Sequence, residues 1–173
     1  MRQKSIKELI DNYPGTLEAK NPEVTIVGFS QNTQKLSENF CYIAIKGTKT
    51  DGHDLLSQAI EKGATFFVVE TKEKVQKNKI DNFLVVKDTK DFLKWIAPRF
   101  YDYPGHRIKL VGVTGTNGKT TIATLLHRLL HTVNTQSTLI STVEYIIGNK
   151  KLEAVNTTPD AEVLNSLLAE SLD

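Results

Sequence analysis

Residues 111–121 read VGVTGTNGKTT, an apolar run followed by glycines at 115 and 118, then a lysine and two threonines at the head of a helix-like stretch. A strand that turns through glycines into a helix aims several backbone N–H groups and the positive helix end at one point, where a phosphate chain can sit. The general phosphate-loop pattern G-x-x-x-x-G-K-[ST] would put a glycine at position 113, where this chain has Val113. The substitution predicts a differently shaped turn rather than the loss of a site. Gly115 and Gly118 let the backbone approach a ligand, Lys119 sets an ammonium against the outer phosphates, and the Thr120 hydroxyl takes one position on a magnesium ion that bridges phosphate oxygens. With Thr116, Asn117 and Thr121 these residues form the predicted nucleotide-binding set. The plain alternative, an ordinary strand–turn–helix junction, is weakened by the full TGTNGKTT string and by its context.

Working outward, the predicted strand KLVGVT (109–114) precedes the loop, and a helix with Ile122, Leu125, Leu126, Leu129 and Leu130 along one side follows it. A strand STLIST comes next, then EYIIG and KLEAV flanking Asn149-Lys150 as a hairpin. The last segment opens with Thr158 as a helix cap, Pro159 in the first turn and a dipole-favoured Asp160, and carries Val163, Leu164, Leu167, Leu168 and Leu172. Upstream, Ile6, Leu9, Ile10 and Tyr13 predict a short helix ended by Pro14-Gly15. VTIVGF, FCYIAI, TFFVVE and NFLVVK predict strands, and Leu55, Leu56, Ala59 and Ile60 a helix closed by Gly63. Strands and helices alternate, which predicts an α/β fold: a small N-terminal α/β domain, then the start of a phosphate-loop, parallel-sheet domain. YDYPGHR (101–107) is the best linker, so residues 1–104 and 105–173 are the expected domains.

The single cysteine, Cys41, rules out an intrachain disulfide, and the N-terminus lacks the apolar segment of a signal peptide, which favours the cytoplasm. Runs such as FFVV are too short for a membrane-spanning helix. With 22 basic and 20 acidic residues the net charge is only +2, so nothing in the bulk electrostatics points to nucleic acid and any anion site is local. Asp88 follows an apolar strand like a magnesium-binding aspartate, but it precedes the glycine loop and better suits the cap of a helix with Phe92, Leu93 and Ile96. His127 and His131 have the i, i+4 spacing of a zinc pair, yet Arg128 stands where a general base would be and no third ligand is evident. His53 and His106 receive no catalytic role, and Trp95 with Phe92 and Phe100 reads as core.

On these residues the chain resembles the Mur ligases. TGTNGKTT is similar to their ATP loop, NTTPD (156–160) to its counterpart in MurE-type members, and KGTKTDGHDLLSQAIEKGA and NTQKLSENFCYIAIKG to two N-terminal stretches of the family. The likeness extends over essentially the whole chain. It implies an ATP- and magnesium-dependent ligase of peptidoglycan synthesis that adds a third amino acid, lysine or diaminopimelate, to UDP-MurNAc-L-Ala-D-Glu through an acyl phosphate. It also implies uridine-nucleotide contacts by Gln31, Thr33, Thr48, Lys49 and Thr50, and muramoyl-peptide contacts by Asn156, Thr157 and Thr158, with no obligate protein partner. Asn32-Thr33-Gln34 replaces the family's Asp-Ser-Arg, keeping a hydroxyl and losing both charges. The family's acidic magnesium ligand, carbamylated lysine and third domain have no counterpart in these residues, so the chain alone is expected to be inactive. A folylpolyglutamate or cyanophycin synthetase type, or a non-catalytic nucleotide binder, would share the loop; the N-terminal stretches and NTTPD favour the first reading.

Overall fold

The computed structural model describes residues 2–15, 17–48, 50–154 and 158–172. It divides into two compact units, Met1–Phe100 and Tyr101–Asp173.

The first unit is built on a five-stranded sheet of β2 (Leu17–Lys20), β4 (Gly28–Ser30), β5 (Phe40–Ile43), β6 (Ala64–Val69) and β7 (Phe83–Val86) in the order β2-β7-β6-β5-β4. The four strands from β4 to β7 are parallel, while β2 pairs antiparallel on the β7 edge. β6 and β7 are almost uninterrupted runs of Phe, Val and Leu, as strands covered on both faces must be. Because side chains alternate across a strand, Tyr42, Phe67, Val69 and Phe83 face one way, into a cluster with Leu56 and Ala59 of α2 (Leu56–Glu61) and Val75 of α3 (Lys72–Lys77). Phe66, Val68 and Leu84 face the other way and are fully buried. On α4 (Thr89–Phe100), the Phe100 ring meets Phe29 of β4 edge-on, and Phe92 meets Tyr13. The Trp95 indole N–H donates to the Leu9 carbonyl of α1 (Ile6–Ile10) at 3.2 Å, so Trp95, Phe92 and Phe100 pack the fold as expected.

VTIVGF is one apolar run but not one strand: β3 (Thr25–Ile26) pairs antiparallel with β1 (Lys4–Ser5), and β4 enters the main sheet after Val27. Two different sheets compete for its backbone, which no sequence period records. Asp88 is a cap: its carboxylate accepts the N–H groups of Lys90 at 2.7 Å and Asp91 at 2.9 Å. Those bonds, that of Asp91 foremost, together with the Lys94 and Lys90 charges, hold the Asp88 carboxyl below the usual carboxylate range. A carboxyl whose folded pKa is lowered contributes stability that is present above its unfolded value, about 3.9, and is lost as the pH falls through the folded value. Asp88→Asn should therefore melt near the native temperature at neutral pH, since Asn also caps, and lose less stability than the native chain below about pH 4. Thermal melts across the acid range check this; parallel acid limbs would count against it.

The second unit contains α5 (Lys119–Thr132), a three-stranded antiparallel sheet of β8 (Thr138–Ile140), β9 (Glu144–Ile147) and β10 (Lys150–Glu153), and α6 (Ala161–Glu170). Three expectations are corrected here. KLVGVT is not a strand: no described residue pairs with it, and Leu110 and Val111 stand exposed, because β-propensity without a partner edge makes no ladder. The hairpin turns at Gly148-Asn149, one residue earlier than expected, with Ile147 opposite Lys150 and Gly148 at φ +54° supplying the positive-φ first position of a two-residue turn. The last helix is capped by Asp160, whose carboxylate accepts the Val163 N–H at 2.9 Å, and not by Thr158. Pro159 thus precedes the cap, and the ionised carboxylate is the stronger acceptor at a positive helix end.

Candidate nucleotide site

The glycine loop meets the conformational demands its sequence announces. Gly115 has φ +148° and Gly118 φ +78°, both in the region that side chains with a Cβ rarely adopt. Space is not the reason, since a Cβ on Gly115 would come no closer than 3.5 Å to the Asn117 carbonyl oxygen. Gly118 is the cap of α5, and the first intrahelical bond runs from the Ile122 N–H to the Gly118 carbonyl at 2.9 Å. The N–H groups of Lys119, Thr120 and Thr121 therefore point outward with no intrahelical acceptor. No acidic residue lies in that first turn to oppose an anion.

Lys119 closes back over this concavity. Its Nζ donates to the Gly115 carbonyl at 2.6 Å and to the Thr116 carbonyl at 3.3 Å. The Thr120 hydroxyl lies 3.1 Å from that of Thr142, just beyond β8. Thr142 was not anticipated: it stands at the end of a predicted strand, and only folding brings it to the head of α5. Val113 is half-buried beside the loop, in place of the general pattern's glycine.

The remaining predicted residues lie in three segments of the chain. Thr33 is buried, and its hydroxyl donates to Gln58 Oε1 at 2.9 Å, so the loop that could have been a solvated connector is anchored to α2. Asn32 caps a single 3-10 turn over Thr33–Lys35, its side chain accepting the Gln34 N–H, while Gln31 is half-buried beside it. Thr48 and Thr50 are exposed on a turn closed by the Gly47 N–H bonding to the Thr50 carbonyl at 3.0 Å. Thr158 is exposed, and Lys49, Asn156 and Thr157 lie outside the described residues.

No cluster of three His, Cys, Asp or Glu residues suited to a metal occurs among the described residues. His127 Nδ1 is instead 2.8 Å from the Ser137 hydroxyl, and burial, then the neighbouring His131, lowers its pKa, favouring the neutral ring. A hydroxyl donor such as Thr120 and no cage of carboxylates fits magnesium that arrives on phosphate oxygens and keeps its waters. No helix among the described residues is long and apolar enough to cross a membrane.

Two family models match the chain consecutively, the Mur ligase family catalytic domain over residues 23–101 and the Mur ligase middle domain over residues 113–173. The chain belongs to the Mur ligase family. The UDP-N-acetylmuramoyl-L-alanyl-D-glutamate–2,6-diaminopimelate ligase of Cytophaga hutchinsonii is 40% identical over 165 residues, covering 95% of this Mur ligase chain and 34% of the relative. The ligase of that name from Phocaeicola vulgatus is also 40% identical, over 150 residues, 86% of this chain and 30% of the relative. The chain thus spans about a third of the length of the curated relatives it matches. Among solved structures, a ligase of the same name superposes with a TM-score of 0.71 at 24% identity, over 99% of this chain and 34% of the other, which establishes the shared fold. A MurF ligase from Thermotoga maritima in complex with ADP matches 81% of this chain and 28% of its own, with a TM-score of 0.52 at 25% identity.

Proposed function

We propose that the chain is part of an ATP-dependent ligase that adds the third amino acid to UDP-MurNAc-L-Ala-D-Glu. The observation that carries this reading is the positive-φ pair Gly115 and Gly118 running into α5 with Lys119 folded over the loop, inside a segment matched by the Mur ligase middle domain. The ADP in the related MurF ligase supports ATP as the nucleotide. The names of the relatives support diaminopimelate rather than lysine as the amino acid.

In this reading the loop N–H groups and the Lys119 ammonium hold the outer phosphates, with Gly115, Thr116, Asn117, Gly118, Thr120 and Thr121 forming the rest of the cradle. A substrate carboxylate oxygen attacks the γ-phosphorus and ADP leaves; the incoming amine then attacks the acyl carbon, and phosphate departs from the tetrahedral intermediate. Lys119 stabilises charge as it builds on the transferred group. Thr120 would hold magnesium, which supplies charge neutralisation on the phosphates when bound. Gln31, Thr33, Thr48, Lys49 and Thr50 would take the uridine nucleotide, and Asn156, Thr157 and Thr158 the muramoyl peptide. The Thr33 hydroxyl would contribute only as an acceptor, because its proton is given to Gln58.

Calorimetry of the 173-residue chain with Mg-ATP and separately with UDP-MurNAc-L-Ala-D-Glu tests the binding half; failure to bind either one would overturn the reading. The full-length protein should release phosphate only when the UDP-dipeptide and diaminopimelate are both present. Release indifferent to the dipeptide would point instead to a nucleotide-binding protein of another kind.

A further inference from the structure

His53 was given no role by its sequence position, yet it is buried, 5% exposed, with both ring nitrogens engaged. Its Nε2 lies 3.0 Å from the backbone nitrogen of Glu70, at the end of β6. A backbone N–H can only donate, so Nε2 must present a lone pair and the ring proton must sit on Nδ1. Nδ1 lies 2.7 Å from Asp51 Oδ1, which also accepts the His53 backbone N–H at 2.9 Å. One carboxylate oxygen thus fixes both the backbone and the ring of His53.

The residues on either side are held just as closely. The Lys46 and Asp51 backbones form an antiparallel bridge, and the Gly52 N–H donates to the Ile45 carbonyl at 2.9 Å. The buried Tyr42 hydroxyl donates to the Gly52 carbonyl at 3.0 Å. A Cβ on Gly52 would lie 2.7 Å from the Ile45 oxygen and 2.8 Å from its nitrogen, so only glycine permits this approach. Beyond His53, the Glu70 carboxylate accepts the backbone N–H of Thr89 at 3.1 Å and its hydroxyl at 2.9 Å. A continuous path runs from the exposed turn through Asp51, His53 and Glu70 to the head of α4.

We propose that His53, as the neutral Nδ1–H tautomer, is the positioning residue that holds the turn bearing Thr48 and Thr50 in the shape that receives a uridine nucleotide. This rests on the reading that the first unit takes that nucleotide. His53 itself touches no ligand; it acts by locking Asp51, the closing residue of the turn, to the rigid end of β6. A side chain that satisfies one end only would leave the turn attached to the sheet by backbone bonds and the Tyr42 hydroxyl, without the link to Glu70.

The test uses the 173-residue chain and three variants, His53→Asn, His53→Gln and Asp51→Asn. Nitrogen-15 spectra of the native chain should show His53 protonated on Nδ1; an Nε2–H ring would overturn the proposal. Asn can donate to Asp51 but falls short of Glu70. In His53→Asn, amide exchange at Gly47, Gly52 and Glu70 should rise about tenfold or more, while the Ala44 amide, bonded within the sheet to Val68, stays protected. UDP-MurNAc-L-Ala-D-Glu should then bind about tenfold more weakly, with Mg-ATP binding unchanged. His53→Gln, whose amide oxygen reaches toward Glu70, should recover part of the loss, and Asp51→Asn should loosen the turn without freeing Glu70. Loosened exchange with undiminished dipeptide affinity would overturn the positioning role. A native chain that ignores the UDP-dipeptide would sink the proposed function instead, and unchanged exchange in His53→Asn would sink the clamp independently.

Discussion

In the full-length ligase, Lys119→Ala should lower dipeptide-dependent phosphate release by about 10³-fold or more, the scale on which removing a cation from a phosphoryl-transfer site is felt. The expectation follows from what Lys119 does in the folded chain. It is exposed, and among the described residues its ammonium bonds the Gly115 and Thr116 carbonyls of its own loop, so its removal takes nothing from the core. The thermal midpoint of the 173-residue chain should therefore stay within about a degree of native, since surface changes away from structural features are worth about 0.5 kcal/mol or less. A stable protein with lost turnover is the predicted combination. Lys119→Arg restores the charge but replaces a compact ammonium with a broad planar group, and should recover little. Near-native turnover in the alanine variant, measured by steady-state phosphate release, would remove Lys119 from the chemistry and with it the ATP reading of the loop.

Phe66→Ala should act in the opposite sense, costing stability rather than chemistry. Phe66 is fully buried on β6, in the middle of the five-stranded sheet, and faces away from the cluster formed with α2 and α3. Truncating a phenylalanine in such a place costs about 3–5 kcal/mol, from lost transfer free energy and from the cavity that neighbours on a rigid sheet cannot close. For a unit of this size that lowers the midpoint by on the order of ten degrees or more. In the same 173-residue chain, Leu125→Ala on α5 should change stability by about 0.5 kcal/mol or less, because Leu125 is 58% exposed. Chemical denaturation of the two variants gives the comparison. Equal losses would mean that the burial of one or both residues has been misread.

That contrast marks where periodicity stops informing. Phe66 and Leu125 both belong to apolar patterns of good period, and the sequence ranks neither above the other. Phe66 has β5 and β7 on its flanks, whereas Ile122, Leu125 and Leu129 of α5 stand exposed and the extended KLVGVT segment pairs with no described strand. A period says which side chains share a face; it does not say that a second surface is present to cover that face.

The candidate site divides along the same line. The backbone conformation at Gly115 and Gly118 and the placing of Lys119 and Thr120 at the head of a helix were legible in TGTNGKTT, because glycines, a cation and hydroxyls at fixed short spacing are a local prescription. Asp88 as a cap was legible for the same reason. The approach of Thr142 to Thr120, the burial of the Thr33 hydroxyl against Gln58, and the bridge from Asp51 through His53 to Glu70 join residues 22, 25 and up to 19 positions apart. By itself, then, the sequence determined the α/β alternation, the phosphate-type loop and the Mur ligase resemblance, all written in short-range spacing. Only the tertiary structure decided which apolar faces are covered and which buried polar groups are paired, since both depend on surfaces that meet when the chain has folded.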